Sequence, residues 1–118
     1  NAGLHFICRD VWLKVDSITS AWTSRYEWGA ELLVPLKSGE GRYVASEAVL
    51  DELEGEGRVV FRYAENPNGS MRDIAGISSA DGRVVGLMPH PEHATEPLTG
   101  PSDDGLGLFY SALDAVLV

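Results

Sequence analysis

The chain has 118 residues, 44% of them hydrophobic and 23% charged, the size and make-up of one small globular domain. A formal net charge of −9 repels phosphate backbones and anionic membrane surfaces, so neither nucleic acid nor membrane is a favoured partner, while a small-molecule site stays open. The one cysteine, Cys8, excludes an internal disulfide and a multi-thiol metal site, and it points to a cytoplasmic home.

There is no basic, apolar leader and no apolar run of about 18 residues, so neither a signal peptide nor a transmembrane helix is expected. The sequence opens at Asn1 instead of a Met and enters an apolar alternating stretch almost at once, which reads as a cut start. Over residues 4–16, Val11, Leu13 and Val15 fall on one face and Trp12, Lys14 and Asp16 on the other. That is the period of one strand, or of two with a bulge near Arg9 and Asp10. Ser17 to Tyr26 is polar and small, a loop. Glu31 to Leu36 is a short apolar strand, and Pro35 places it at a sheet edge or a strand end.

Lys37 to Arg42 holds two glycines and reads as a turn. Ser46 caps a helix from about Glu47 to Leu53, with acids in its first turn and Gly55 beyond its end. Arg58 to Ala64 is a strand rich in Val, Phe and Tyr, and Asn66 to Ser70 is a strong turn signal. Asp73 to Ser78 and Arg83 to Met88 form a hairpin around Asp81 and Gly82. After Pro89-His90-Pro91-Glu92-His93 comes a loop rich in Pro, Gly, Ser and Asp. The last segment, Gly105 to Leu117, has apolar residues at 106, 109, 113, 116 and 117, a stripe at helical spacing and hence a closing amphipathic helix. About six strands and two helices, several strands joined without helices, do not make a complete doubly wound fold. The pattern suits the strand-rich second half of an α/β domain.

The chemistry points to one segment. An apolar strand runs straight into His90-Pro91-Glu92, and sites in α/β sheets lie beyond the C-terminal ends of strands. Two prolines stiffen the turn. An extended His-x-Glu puts both side chains on one side of the chain, so Glu92 can hold one ring nitrogen of His90 while the other takes a proton from a nucleophile. The bland alternative is a loop histidine beside a loop glutamate. A zinc deaminase is excluded because its Pro-Cys-x-x-Cys partner is missing. A zinc site from His90, Glu92 and His93 stays open, though crowded into four residues, with His5 far off in sequence.

Met88-Pro89-His90-Pro91-Glu92 resembles the His-Pro-Glu motif of class I glutamine amidotransferases. Phe6 to Arg9, Gly39-Glu40-Gly41-Arg42-Tyr43, Asn66 to Ser70, Arg72 to Gly76, Asp104-Gly105-Leu106 and Leu108-Phe109, in this order, resemble the glutaminase subunits of phosphoribosylformylglycinamidine synthases over essentially all 118 residues. The resemblance implies the C-terminal part of a single type 1, flavodoxin-like amidotransferase domain. It implies a Cys-His-Glu triad with His90 as general acid and base and Glu92 orienting it, and contacts to glutamine from Gly39, Glu40, Gly41 and Arg42. The plain alternative for that loop is a strand-to-helix turn. The implied partners are a large synthetase subunit, which would hold the ATP and magnesium, and a small bridging subunit. No cofactor is expected in this chain.

The sequence departs from the family pattern at Ser38, where many members carry His. It also lacks a Gly-x-Cys-x-Gly nucleophile turn and the glycine-rich oxyanion segment. Cys8, with no glycine beside it, reads as a semi-buried structural residue. The isolated chain is therefore expected to be inactive. It is either a catalytic half that needs its first half, or a binding module that keeps only the surface for the synthetase.

Overall fold

The computed structural model describes residues 7–38, 43–67, 69–95 and 102–117, with side chains at all of these except 7, 8, 37, 38, 93 and 117. The strands are β1 (Ile7–Val15), β2 (Glu31–Ser38), β3 (Val59–Tyr63), β4 (Ile74–Ser78) and β5 (Val85–Leu87), and the helices are α1 (Glu47–Gly55) and α2 (Leu106–Leu117). The described strands form one five-stranded sheet in the order β2-β1-β3-β4-β5, with every pairing antiparallel. Among the described residues no helix is long and apolar enough to cross a membrane.

Alternation sets the faces. Val11, Leu13 and Val15 of β1 and Leu32, Val34 and Leu36 of β2 are buried, while Trp12 between them is half exposed. β1 pairs with β2 without interruption from Ile7 opposite Ser38 to Lys14 opposite Glu31, so β1 is one strand with no bulge at Arg9 or Asp10. The irregularity lies instead between β3 and β4, where the register shifts on both sides of Phe61. There Val59, Val60 and Phe61 are buried in succession, which strict alternation forbids. Val59 joins one core and its two successors join the other.

The larger core lies inside the curl of the sheet, between the inward residues of β1 and β2 and Val60, Phe61, Tyr63 and Ala75, with Ala94 and Leu108 added from beyond β5. Burying a side chain such as Leu13, Leu36 or Phe61 stabilises the fold by about 1.5–3 kcal/mol each. The smaller core lies under α1, where Leu50 and Leu53 meet Val59 and Ile74. Ser46 caps α1 by accepting the Val49 N–H at 3.3 Å. The helix runs through Gly55, and the left-handed residue that turns the chain away is Gly57.

α2 departs from its sequence stripe. Among its described side chains the buried ones are Leu108 and Ser111, whereas Phe109, Leu113 and Val116 are exposed. The helix is rotated by its anchors: the Ser111 hydroxyl accepts the Arg25 N–H at 2.9 Å, and Gly107 packs against the Tyr26 ring. The loop 16–30 thus takes the place on α2 that apolar periodicity alone assigns to a sheet.

Candidate active site

β2 and β5 stand at opposite ends of the strand order, yet the sheet curls until the chain leaving β5 meets the outer edge of β2. The contact is direct: the His90 N–H donates to the Pro35 carbonyl at 2.8 Å. Pro35 belongs on this edge because it has no N–H to give a ladder. His90 is extended (φ −109°, ψ 88°), as a residue before proline prefers. Pro91 then opens a 3-10 turn over Pro91–His93, where its fixed φ suits the first position. The Ala94 N–H closes that turn on the Pro91 carbonyl at 2.9 Å.

His90 Nδ1 lies 2.6 Å from Glu92 Oε1. The pair meets across the 3-10 turn, not along an extended His-x-Glu, because Pro91 bends the chain between them. Both side chains are partly open to solvent, His90 at 37% and Glu92 at 50%. When Glu92 is ionised its carboxylate can only accept, an arrangement that puts the proton on Nδ1 and leaves proton exchange to Nε2. This is the geometry of a general base with its orienting acid. Behind Glu92 a cavity of about 220 Å³ is walled by Trp22, Val85, Leu87, Pro91, Leu108 and Phe109. Trp22 and Phe109 meet there edge to face, with ring centroids 6.4 Å apart.

Gly39, Glu40, Gly41 and Arg42 lie outside the described residues. β2 ends just before them at Ser38, three residues past Pro35 and roughly 10 Å along the strand from the support of His90. The chain is described again at Tyr43, whose N–H donates to Ser70 Oγ and whose carbonyl accepts the Met71 N–H, both at 2.9 Å. His5 also lies outside, as does the His93 side chain on which the zinc alternative turns.

Asn66 is a staple of its turn: it accepts the Gly69 N–H at 2.8 Å and donates to the Ser70 carbonyl at 2.7 Å and to Asp73 at 2.9 Å. Arg72 and Asp73 that follow have positive φ, and Arg72 binds Glu47, Asp51 and Glu54 of α1. Those carboxylates, Glu47 foremost, raise the pKa of Arg72 further.

Sequence reasoning missed the residues that grip the His90 turn, namely Pro35 through its carbonyl, Tyr26, Ser102, Asp104 and Gly105. Asp104-Gly105-Leu106 enters the family resemblance with no role attached, and nothing in the run before α2 says which strand edge it meets.

Residues 1–112 match the family model of the CobB/CobQ-like glutamine amidotransferase domain. The chain belongs to this family. Among relatives of this amidotransferase chain, the phosphoribosylformylglycinamidine synthase subunit PurQ of Mycobacterium tuberculosis (strain ATCC 25618 / H37Rv) is 83% identical over 117 residues, covering 99% of this chain and 52% of the relative. The same-named subunits of Rhodococcus jostii (strain RHA1) and Corynebacterium jeikeium (strain K411) are 81% and 62% identical, with the same coverage. Among solved structures, PurLQS from Thermotoga maritima superposes with a TM-score of 0.87 at 39% identity, over 98% of this chain and 50% of that one. The fold is thus the α/β fold of this amidotransferase family, and the chain spans about half the length of the curated relatives it matches.

Proposed function

We propose that this chain is the C-terminal part of a single amidotransferase domain, the glutaminase component of phosphoribosylformylglycinamidine synthase. The observation that carries the reading is the 2.6 Å contact between His90 Nδ1 and Glu92 at the end of β5. Identity of 83% to a subunit of that name supports the choice of reaction.

In this reading a cysteine thiolate attacks the side-chain amide carbon of glutamine and forms a γ-glutamyl thioester. Protonated His90 gives its Nε2 proton to the departing ammonia. It then takes a proton from water as water cleaves the thioester to glutamate. Glu92 holds the ring and stabilises its charged form. Gly39, Glu40, Gly41 and Arg42 anchor the glutamine head group, main-chain N–H groups at the two glycines meeting its carboxylate. Ammonia passes to a synthetase partner for ATP-dependent amidation of formylglycinamide ribonucleotide, a step of purine biosynthesis placed in the cytoplasm. The likeness to the PurLQS structure supports a subunit that works in an assembly with a large synthetase subunit and a small bridging one. ATP and magnesium belong to that partner.

Cys8 lies in β1 with no flanking glycine and does not serve as nucleophile, so the 118-residue chain alone releases no glutamate. The test is glutamate release by the full-length subunit in its complex. His90→Asn is expected to lose on the order of 10²–10⁴-fold in kcat, and Glu92→Gln at least about tenfold. Full activity in His90→Asn would leave a binding module instead of a catalytic half.

A further inference from the structure

The His90 turn is held from outside by the loop that precedes α2, and both rest on one strand edge. Along the outer edge of β2, Pro35 offers its carbonyl to the His90 N–H at 2.8 Å. Two residues earlier on the same edge, both main-chain groups of Leu33 are taken by side chains. Asp104 Oδ2 accepts the Leu33 N–H at 2.8 Å, and Ser102 Oγ donates to the Leu33 carbonyl at 2.8 Å. The Asp104 N–H returns to Ser102 Oγ at 3.1 Å, and the Tyr26 hydroxyl donates to the Asp104 carbonyl at 2.5 Å.

The next residue transmits this anchorage. The Gly105 N–H donates to the Ala94 carbonyl at 2.9 Å, and its Cα is pressed so near Pro91 that a Cβ would lie 2.1 Å from the Pro91 oxygen. Pro91 and Ala94 bound the 3-10 turn that carries Glu92. The turn is thus clamped between the β2 edge and Gly105, and Asp104 sets the height of Gly105 over it.

From this geometry we infer that Asp104 is a positioning residue for the His90–Glu92 pair, acting through the Leu33 N–H, the β2 edge and Gly105, and touching no substrate. The inference rests on the glutaminase reading above. Displacing a base from its productive geometry reduces turnover more than it weakens binding of a substrate held elsewhere.

The experiment measures kcat and KM for glutamine in the full-length subunit within its complex, for Asp104→Ala, Asp104→Asn, Ser102→Ala and His90→Asn, with thermal unfolding of each. Asp104→Ala is expected to lose roughly 10–100-fold in kcat with KM within about twofold. Asp104→Asn is expected to recover to within about threefold of the parent, because its amide oxygen accepts the same N–H. Ser102→Ala should fall between them. If Asp104→Ala does not fold, Asn and Ser102→Ala decide: near-parental turnover in the first with a loss in kcat alone in the second supports positioning. Asp104→Ala at parental kcat, Asn as impaired as Ala, or a loss confined to KM would overturn it. His90→Asn separates the two ideas, since an active His90→Asn sinks the glutaminase reading whatever Asp104 does.

Discussion

A methyl group on Gly105 would stand 2.1 Å from the carbonyl oxygen of Pro91, far inside the distance at which a carbon and an oxygen touch without bonding. Gly105→Ala must therefore push α2 away from the His90 turn or unseat the turn itself. Overpacking of this kind costs about 1–3 kcal/mol, which urea unfolding of the full-length subunit would read. Glutamate release should fall with it, and a variant with parental stability and turnover would refute the close packing.

Tyr26 offers a pH test. Burial pushes its hydroxyl up to about 12, the charge of Asp104 adding to the rise and main-chain hydrogen bonds at Leu108 and Gly107 opposing it. Its ordinary value is about 10, so between roughly pH 10 and 12 the folded chain keeps a proton that the unfolded chain has lost. The contribution is complete below pH 10 and is lost as pH climbs through the folded value. Denaturant midpoints measured from pH 9 to 12 should fall more steeply for the parent than for Tyr26→Phe. At pH 8 that variant should already be weaker by about 1 kcal/mol, having lost the bond to the Asp104 carbonyl.

The two cores predict different outcomes for similar truncations. Leu36→Ala opens the core inside the curl, one residue from Pro35, while Leu50→Ala opens the core under α1. Each should destabilise by about 2–5 kcal/mol. Only Leu36→Ala should also reduce kcat at temperatures where both variants stay folded, because only β2 carries the His90 turn. Equal loss of turnover in both would deny the division.

The exposed N-cap gives a smaller effect. Ser46→Ala should weaken the subunit by about 1 kcal/mol, and Ser46→Asp should leave it unchanged, read as shifts in the midpoint of unfolding.

Local signals were legible where local physics decides. Alternation located Val11, Leu13 and Val15; Ser46 marked the start of α1; and an apolar strand running into His90-Pro91-Glu92 marked a place where an imidazole and a carboxylate meet. The illegible part depends on partners distant in sequence. Phe109, Leu113 and Val116 share a helical stripe, yet α2 is turned by Arg25 and Tyr26, more than eighty residues away, so Leu108 and Ser111 go inside instead. The burial of Val59, Val60 and Phe61 in a row follows from register shifts against β4, which one strand's composition does not carry. Asp104 belongs to a motif of the family resemblance, yet its partner is not legible until the sheet curls and brings the Leu33 N–H to it.

The outer edge of β2 carries one more consequence. Exposed strand edges invite pairing with another chain, and proteins suppress this by removing the groups that a visiting strand would need. At Leu33 both groups are occupied by Ser102 and Asp104; at Pro35 the carbonyl is occupied by His90 and the donor does not exist. The bonds that steady the imidazole thus also protect a long apolar strand from sticking to its own kind. Loosening this clasp would then show first as aggregation on concentration or storage, before any change in fold is visible.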